Sequence, residues 1–382
     1  MYLTKEEEKA LDGEFGNGIS MAYKILLAIG NANEASKLIP VQWAHISGVN
    51  YNTIGNSGVQ FLKKLDSNTR VTIPTTLNPM GFDSKKRNMI SEEFKENQFA
   101  IVNSYANIGV TQSFTCIPYE IFDLPKKNSV VSFAESNAAV YANSILGLKT
   151  NKESALSALA SAITGKTPYA ELLLDKVRDP KTVIVSKMKL ETELDYGLLG
   201  YFAGKVGKES CMGLNLQQSE LDIAKSKSIS SGIGTSGTCG MFKEAKEGQE
   251  LIEFDDEEYQ NMKDELGTSE SGDLIVLGSP QLGKFELHKM LDLMKGRKFT
   301  KKCMIFCPRI VKQNNEQLVE KLENSGCEII CDACTCLTPL ITRENYDSII
   351  TNSIKCAYYM KHSNKIDVAL KDIKSITEEH TK

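Results

Sequence analysis

Apolar positions change period several times along the chain, and in its C-terminal part they settle into a regular alternation. Residues 273–278 (DLIVLG), 302–307 (KCMIFC) and 328–331 (EIIC) are short apolar runs, separated by stretches of helical period at 285–295 and 310–324. This β-α-β-α-β order predicts a parallel sheet with right-handed crossovers. Ligands of such sheets bind just beyond the carboxyl ends of the strands. The residues waiting there are Ser279-Pro280, Cys307-Pro308-Arg309 and Cys331-Asp332-Ala333-Cys334.

Upstream the pattern is mixed α/β. It predicts a helix over 21–38, a strand at 41–46, a glycine-punctuated turn at 48–58, a helix near 59–65 and strands at 71–73 and 110–114. A long polar helix is expected over 84–107, and the small residues of 133–164 suit helices packed against neighbouring backbone. A strand at 182–186 and a helix at 194–204 continue the alternation, and 225–237 reads as a Ser/Gly-rich connector. The expected division is an N-terminal α/β region with an anion-binding loop (1–110), a central α/β region (111–237) and a C-terminal parallel α/β region (238–382).

Length and charge narrow the function. With 382 residues the chain has room for two or three packed subdomains. A net charge of −4 lacks the cation excess that a polyanion partner needs, which argues against nucleic acid. No stretch approaches the roughly 20 apolar residues that span a bilayer. The start, MYLTKEEEKALDGEFG, reads as a charged helix and not as a signal core, so the cytoplasm is expected. There are ten cysteines, and disulfides explain them poorly in a reducing compartment. Seven of the ten (Cys303, Cys307, Cys327, Cys331, Cys334, Cys336 and Cys356) fall in the last fifth of the chain, which raises metal or redox chemistry.

Each motif has a plain reading beside the chemical one. Cys331-x-x-Cys334 can serve zinc, a redox pair or an iron–sulfur cluster, but one pair does not make a four-ligand zinc site. Cys303 and Cys327 lie inside predicted strands, where cysteine acts as a small hydrophobe. Cys307, Cys334 and Cys116 lie at strand ends, where packing and chemistry are both open. Residues 232–237 (GIGTSG) match a dinucleotide fingerprint as text, yet no strand precedes them and no helix is expected after them, so a flexible turn is the better reading. The glycines of 48–58 allow a close backbone approach to an anion at a helix start, or make an ordinary capped loop. Four histidines leave little material for a His-centred triad, and His45 reads as a strand residue beside the glycine loop.

Several stretches together carry a resemblance. TCIPY at 115–119, AESNAAVYANSILG at 134–147, TGKTP at 164–168, DYGLLGYFAGK at 195–205, LGSPQ at 277–281, CDACTCLTP at 331–339 and TNSIK at 351–355 follow one another in the order of aconitase X large subunits. GVNYNTIGNSG at 48–58 and TTLNPMG at 75–81 are similar to the N-terminal motifs of that family.

The resemblance implies an aconitase-like α/β fold of several packed subdomains. It also implies a hydro-lyase holding an iron–sulfur cluster, of 4Fe–4S type, and a separate small swivelling subunit as partner. The expected reaction is dehydration of a small phosphorylated hydroxy acid, mevalonate 5-phosphate, to trans-anhydromevalonate 5-phosphate, within an isoprenoid-forming mevalonate pathway. The alternatives are dehydration of cis-3-hydroxyproline or another hydroxy acid, and a degenerate metal-binding subunit. Three thiolates leave one iron open as a Lewis acid for the departing hydroxyl. Carried over, Cys116 and Cys334 are ligands. The family's Gly-Cys-Pro-His turn is Gly278-Ser279-Pro280-Gln281 here, so Cys307 is named as third ligand, with Ser279 or Cys331 in reserve. No base is assigned in this chain, because the resemblance places it on the small subunit. Substrate contacts are expected from Gly55, Asn56, Ser57, Gly58, Thr75, Thr76, Asn78, Glu135, Ser136 and Asn143, with Arg309 and Lys355 as cations. The family's Arg-Thr-Asn-Arg-Glu-Gly-Gly stretch reads Lys149-Thr150-Asn151-Lys152-Glu153-Ser154-Ala155, and a Gly-x-Thr-Pro element near Gly248 is missing.

Overall fold

The computed structural model describes residues 1–65, 68–86, 90–217, 219, 221–245 and 249–382. It divides into two compact units, one of residues 1–80 and 91–179, the other of residues 81–90 and 180–382. Part of the helix expected over 84–107 (residues 87–89), and Gly248, lie outside the described residues.

The first unit runs α1 (Lys5–Asp12), α2 (Asn17–Ala32), β1 (Leu38–Pro40), β2 (Ala44–Ile46), α3 (Tyr51–Lys63), β3 (Thr75–Leu77) and α4 (Glu92–Asn107). It continues through α5 (Pro118–Ile121), β4 (Ser132–Phe133), α6 (Ser136–Ser144), α7 (Ala155–Thr164) and β5 (Lys166–Pro168). Its centre is a short parallel sheet in the order β3-β2-β4, and β1 pairs antiparallel with β5. Helix starts are written in the local sequence. Thr4 and Glu7 form a reciprocal capping box on α1, Ser91 caps α4, and Ser154 with Ser157 caps α7, each cap contributing on the order of 1 kcal/mol.

Here the sequence reading needs several corrections. The helix expected over 21–38 runs Asn17–Ala32, with strand from Leu38, and the one expected over 84–107 starts at Glu92 behind its Ser91 cap. The expected loop at 48–58 is mostly helix: Asn50 caps α3, and the chain kinks at Gly55, whose φ of 54° and ψ of −163° leave the helical region. The strand expected at 71–73 forms instead at Thr75–Leu77, and 110–114 contributes a single bridge, Thr76 to Thr111. Strand residues here follow from pairing, since Thr75–Leu77 is in register with β2, and Thr111 meets only Thr76 of β3.

The second unit runs β6 (Thr182–Ser186), α8 (Glu193–Val206), β7 (Cys211–Leu214), α9 (Ile223–Thr235), β8 (Met241–Glu244), β9 (Glu250–Phe254) and α10 (Asp256–Leu266). Then come β10 (Leu274–Leu277), α11 (Lys284–Met294), β11 (Cys303–Cys307), α12 (Arg309–Asn314), α13 (Glu316–Asn324) and β12 (Cys327–Cys331). It closes with β13 (Ser348–Thr351), α14 (Ile354–Tyr359), β14 (Asp367–Leu370) and α15 (Ile373–His380). The alternation expected from 273 onward is present as a five-stranded parallel sheet in the order β12-β11-β10-β13-β14. Its central strands β10 and β11 are buried throughout, as their unbroken apolar runs require. A second parallel sheet has the order β8-β7-β6-β9.

The Ser/Gly-rich stretch 225–237 is no connector. Asp222 caps α9 there, and eight of the helix's thirteen residues, among them Ser230, Ser231 and Gly232, are buried. A Cβ on Gly232 would stand 2.2 Å from the Gly197 carbonyl, and one on Gly200 would stand 2.4 Å from the Ile229 carbonyl. Helices α8 and α9 therefore touch backbone to backbone, and that packing overrides the poor intrinsic helix propensity of serine and glycine.

Candidate active site

In the first unit the polar chemistry collects at the carboxyl ends of the parallel strands. A chain of hydrogen bonds runs through it in one direction. Trp43 Nε1 donates to Thr76 Oγ1 at 3.2 Å, and Thr76 Oγ1 meets His45 Nδ1 at 2.8 Å. His45 Nε2 lies 2.7 Å from Asn78 Oδ1, and Asn78 Nδ2 donates to Glu135 Oε2 at 2.5 Å. The carboxylate at the end can only accept, so Asn78 must turn its carbonyl to His45, and His45 must carry its proton on Nε2. Burial drives the His45 pKa down from 6.5 to about 4, against the pull of Asn78 and Glu135, so the imidazole stays neutral. Glu135 stands at the N-cap of α6, where the helix dipole favours its charge.

Cys116 sits nearby in sequence register, after Thr115, whose backbone N–H donates to the Leu77 carbonyl at 3.0 Å. Thr115 Oγ1 accepts from Ile117 N, and Asn137 Nδ2 donates to the Cys116 carbonyl at 3.1 Å. Pro118 then begins α5. The thiol is thus carried on a turn anchored on both sides, with 7% of the residue exposed.

In the second unit two groups of thiols occupy the carboxyl edge of the five-stranded sheet. Cys307 and Cys331 face each other across the β11–β12 register. The S–H of Cys307 bonds to Cys331, which raises Cys307 well above the ordinary thiol value and lowers Cys331. Cys334, Cys336 and Cys356 form the other group. Bonds from Cys334 and Cys356, with further ones from Ser279 and Thr335, hold Cys336 well below the usual thiol range. Ser279 Oγ and Thr335 Oγ1 each lie 3.3 Å from Cys336 Sγ.

Arg309 ties this edge together. Its Nε donates to Asp332 Oδ2 at 2.6 Å and its Nη2 to Asp83 Oδ1, while Asp83 Oδ2 accepts the Cys331 backbone N–H at 3.0 Å. Burial pushes Asp83 upward, but the N–H groups of Cys331 and Lys85 and the Arg309 guanidinium outweigh it, so its pKa falls below the ordinary value. Burial dominates at Asp332 and raises it. Asp332 also takes a left-handed φ of 63°, which turns the chain sharply after β12.

The residues expected to touch substrate separate into two kinds. Thr75 Oγ1 donates to the Ile73 carbonyl, Thr76 belongs to the directed chain, and Arg309 binds two carboxylates. Asn143 is committed to the fold: its Oδ1 accepts from Thr150 N and Arg178 Nη1, and its Nδ2 donates to the Thr150 carbonyl. Asn78 and Ser136 are half-buried at strand and helix ends, and Gly55, Asn56, Ser57 and Gly58 lie at the kink of α3 with Asn56 Oδ1 bonded to the Tyr51 hydroxyl. Lys355 lies in the first turn of α14.

Among the described residues no three His, Cys, Asp or Glu side chains gather as a complete metal-holding set. The donor chemistry nevertheless fits iron and sulfide: the first unit presents Cys116 on an anchored turn, the second presents cysteines at and just beyond strand ends, and all ten cysteines lie outside disulfides. No described helix is long and apolar enough to cross a membrane.

Comparison with known proteins agrees with this arrangement. The family description "Aconitase X first domain" matches residues 1–176, and "Aconitase X third domain" matches 272–382. The phosphomevalonate dehydratase large subunit of Methanosarcina mazei is 34% identical, with 94% of this chain and 92% of that one covered.

The chain belongs to the aconitase X family.

The phosphomevalonate dehydratase large subunit of Methanocaldococcus jannaschii is also 34% identical, with 98% and 99% covered. The crystal structure of Thermococcus kodakaraensis aconitase X, described as the holo-form, superposes with a TM-score of 0.91 at 31% identity and covers both chains fully. For an aconitase X chain, Ser279 and Gln281 are departures with structural work to do. Ser279 holds Cys336, and the fully buried Gln281 donates to the Ala333 carbonyl at 3.2 Å. Sequence reasoning gave no role to Asp83, Cys336, Cys356 and Arg178. Cys336 stands within the CDACTCLTP motif, two residues from Cys334, and the other three lie outside the quoted motifs.

Proposed function

We propose that this chain is the large subunit of a phosphomevalonate dehydratase, a hydro-lyase working in the cytoplasm with a small subunit. The observation that carries this reading is near-full-length similarity to such subunits, joined to carboxylate, amide and thiol groups set at the carboxyl ends of parallel strands in both units. In the reaction a C2–H and the C3–O bond of mevalonate 5-phosphate break, a C2=C3 bond forms and water leaves. An iron–sulfur cluster of 4Fe–4S type supplies a Lewis acid for the leaving hydroxyl when bound.

In this reading Cys116 and Cys334 hold the cluster. The neutral His45 orients Asn78 and keeps Glu135 an acceptor, so that substrate meets one fixed arrangement of amide and carboxylate. Gly55, Asn56, Ser57 and Gly58, with Ser136 and Lys355, receive the carboxylate and phosphate. Thr75, Thr76, Asn143 and Arg309 shape these contacts from behind, because their polar groups are bonded inside the protein. The proton acceptor at C2 comes from the small subunit.

The test is anaerobic co-production with the small subunit, followed by iron and sulfide analysis and a dehydration assay. Turnover of mevalonate 5-phosphate is expected. A preparation that carries iron but acts on cis-3-hydroxyproline instead would replace the substrate, and one without iron or turnover on either compound would overturn the reading.

A further inference from the structure

We infer that Cys336, in place of Cys307, joins Cys334 as the second cluster thiolate of the C-terminal unit; this rests on the iron–sulfur function proposed above. The two residues share the irregular segment that follows β12, with one residue between them, and their sulfurs are in hydrogen-bond contact. Cys334 is half-buried and Cys336 is 3% exposed, so the pair joins one partly accessible cysteine to one buried cysteine.

Cys336 is surrounded by groups able to donate to its sulfur. The hydroxyls of Ser279 and Thr335 lie 3.3 Å from it, and the thiols of Cys334 and Cys356 also reach it. The Lys355 carbonyl lies farther off, at 3.8 Å, a long and weak contact. A buried thiolate needs a cation beside it, and iron bound to Sγ would supply one while the nearby hydroxyls tune the ligand. On ligation each thiol passes its proton to solvent and an Fe–S bond forms, with no change of oxidation state at sulfur.

Cys307 has a different setting. Its S–H is given to Cys331 across the β11–β12 register, on the residues clamped by Asp83, Arg309 and Asp332. Cys356 lies wholly buried in the first turn of α14, and its backbone N–H bonds to Ser353 Oγ, so it serves Cys336 as a donor fixed to a helix.

The experiment uses the full-length chain and its C334A, C336A, C336S and C307A variants, loaded anaerobically with ferrous iron and sulfide. Bound iron, acid-labile sulfide and the electron paramagnetic resonance spectrum are read, with circular dichroism and melting to establish folding. C334A and C336A should keep less than about a tenth of the wild-type iron, as expected for loss of a direct ligand. C336S, nearly isosteric, should fold as wild type and show reduced iron with a shifted spectrum, and C307A should load normally. A folded C336S with wild-type iron and an unshifted spectrum overturns the inference, as does a C307A that fails to load. Wild-type chain that takes up no iron overturns the iron–sulfur reading itself, and is thereby distinguished from failure of the Cys336 assignment alone.

Discussion

His45 gives a polar chain its direction because it is neutral, and its neutrality is a matter of burial. The folded pKa is about 4 against an ordinary 6.5, so between those values the unfolded chain binds a proton that the folded chain refuses. The associated stability is complete above about pH 6.5 and is lost as the pH falls toward 4, by about 3 kcal/mol in total. Urea unfolding between pH 7 and pH 4.5 should therefore show a steeper loss for wild type than for His45→Gln, which cannot titrate. Equal slopes would mean that the imidazole is already charged. Arg178 makes a second residue-level case. Its guanidinium supplies the Leu172, Leu148 and Asn143 carbonyls as well as Asn143 Oδ1, all buried. Arg178→Ala should cost about 3 kcal/mol in equilibrium unfolding, because those acceptors lose their donor together. Asn143 was visible in the sequence as a polar residue in a conspicuous run, but its commitment to Arg178 was not, since 35 residues separate them.

At the scale of elements, the α8–α9 contact shows how a small-residue stripe is used. Gly232→Ala places a methyl 2.2 Å from the Gly197 carbonyl, where neither backbone can retreat without moving its helix. A loss of at least about 1–3 kcal/mol is expected, read by thermal or urea melting; a neutral result would show that the helices are not in backbone contact. The segment 225–237 was misread because serine and glycine are weak helix formers, and the packing that rescues them comes from a partner helix remote in the text. The Arg309 clamp is a second element-level device, joining residue 83 to the segment after β12 within one unit. Arg309→Lys should lower stability by about 1–2 kcal/mol, since a point charge cannot keep two planar contacts, and should leave the KM for substrate within about twofold. A large rise in KM with unchanged stability would return Arg309 to the substrate.

At the scale of the whole chain, both units repeat one principle: short parallel strands deliver their chemistry at their carboxyl ends. Thiols in the second unit and the Asn78–Glu135 pair in the first occupy equivalent strand ends, though the residue types differ. Because no proton acceptor for C2 is assigned to this chain, the loaded large subunit by itself should give no dehydration, and turnover should begin when the small subunit is added. Activity of the isolated chain would place a base within it.

What the amino-acid sequence determined by itself was the class of fold, the alternation from residue 273 onward, the concentration of cysteine at strand ends and the family. These are local or ordered features, legible because apolar periodicity and motif order do not depend on distant contacts. Only the tertiary structure decided which thiols meet, that Cys307 turns to Cys331 and Cys336 to Ser279, that Asn143 serves Arg178, and that a glycine-rich stretch is a buried helix. Each of these depends on partners brought together by folding, and a hydrogen bond or a steric limit exists only once both partners are in place.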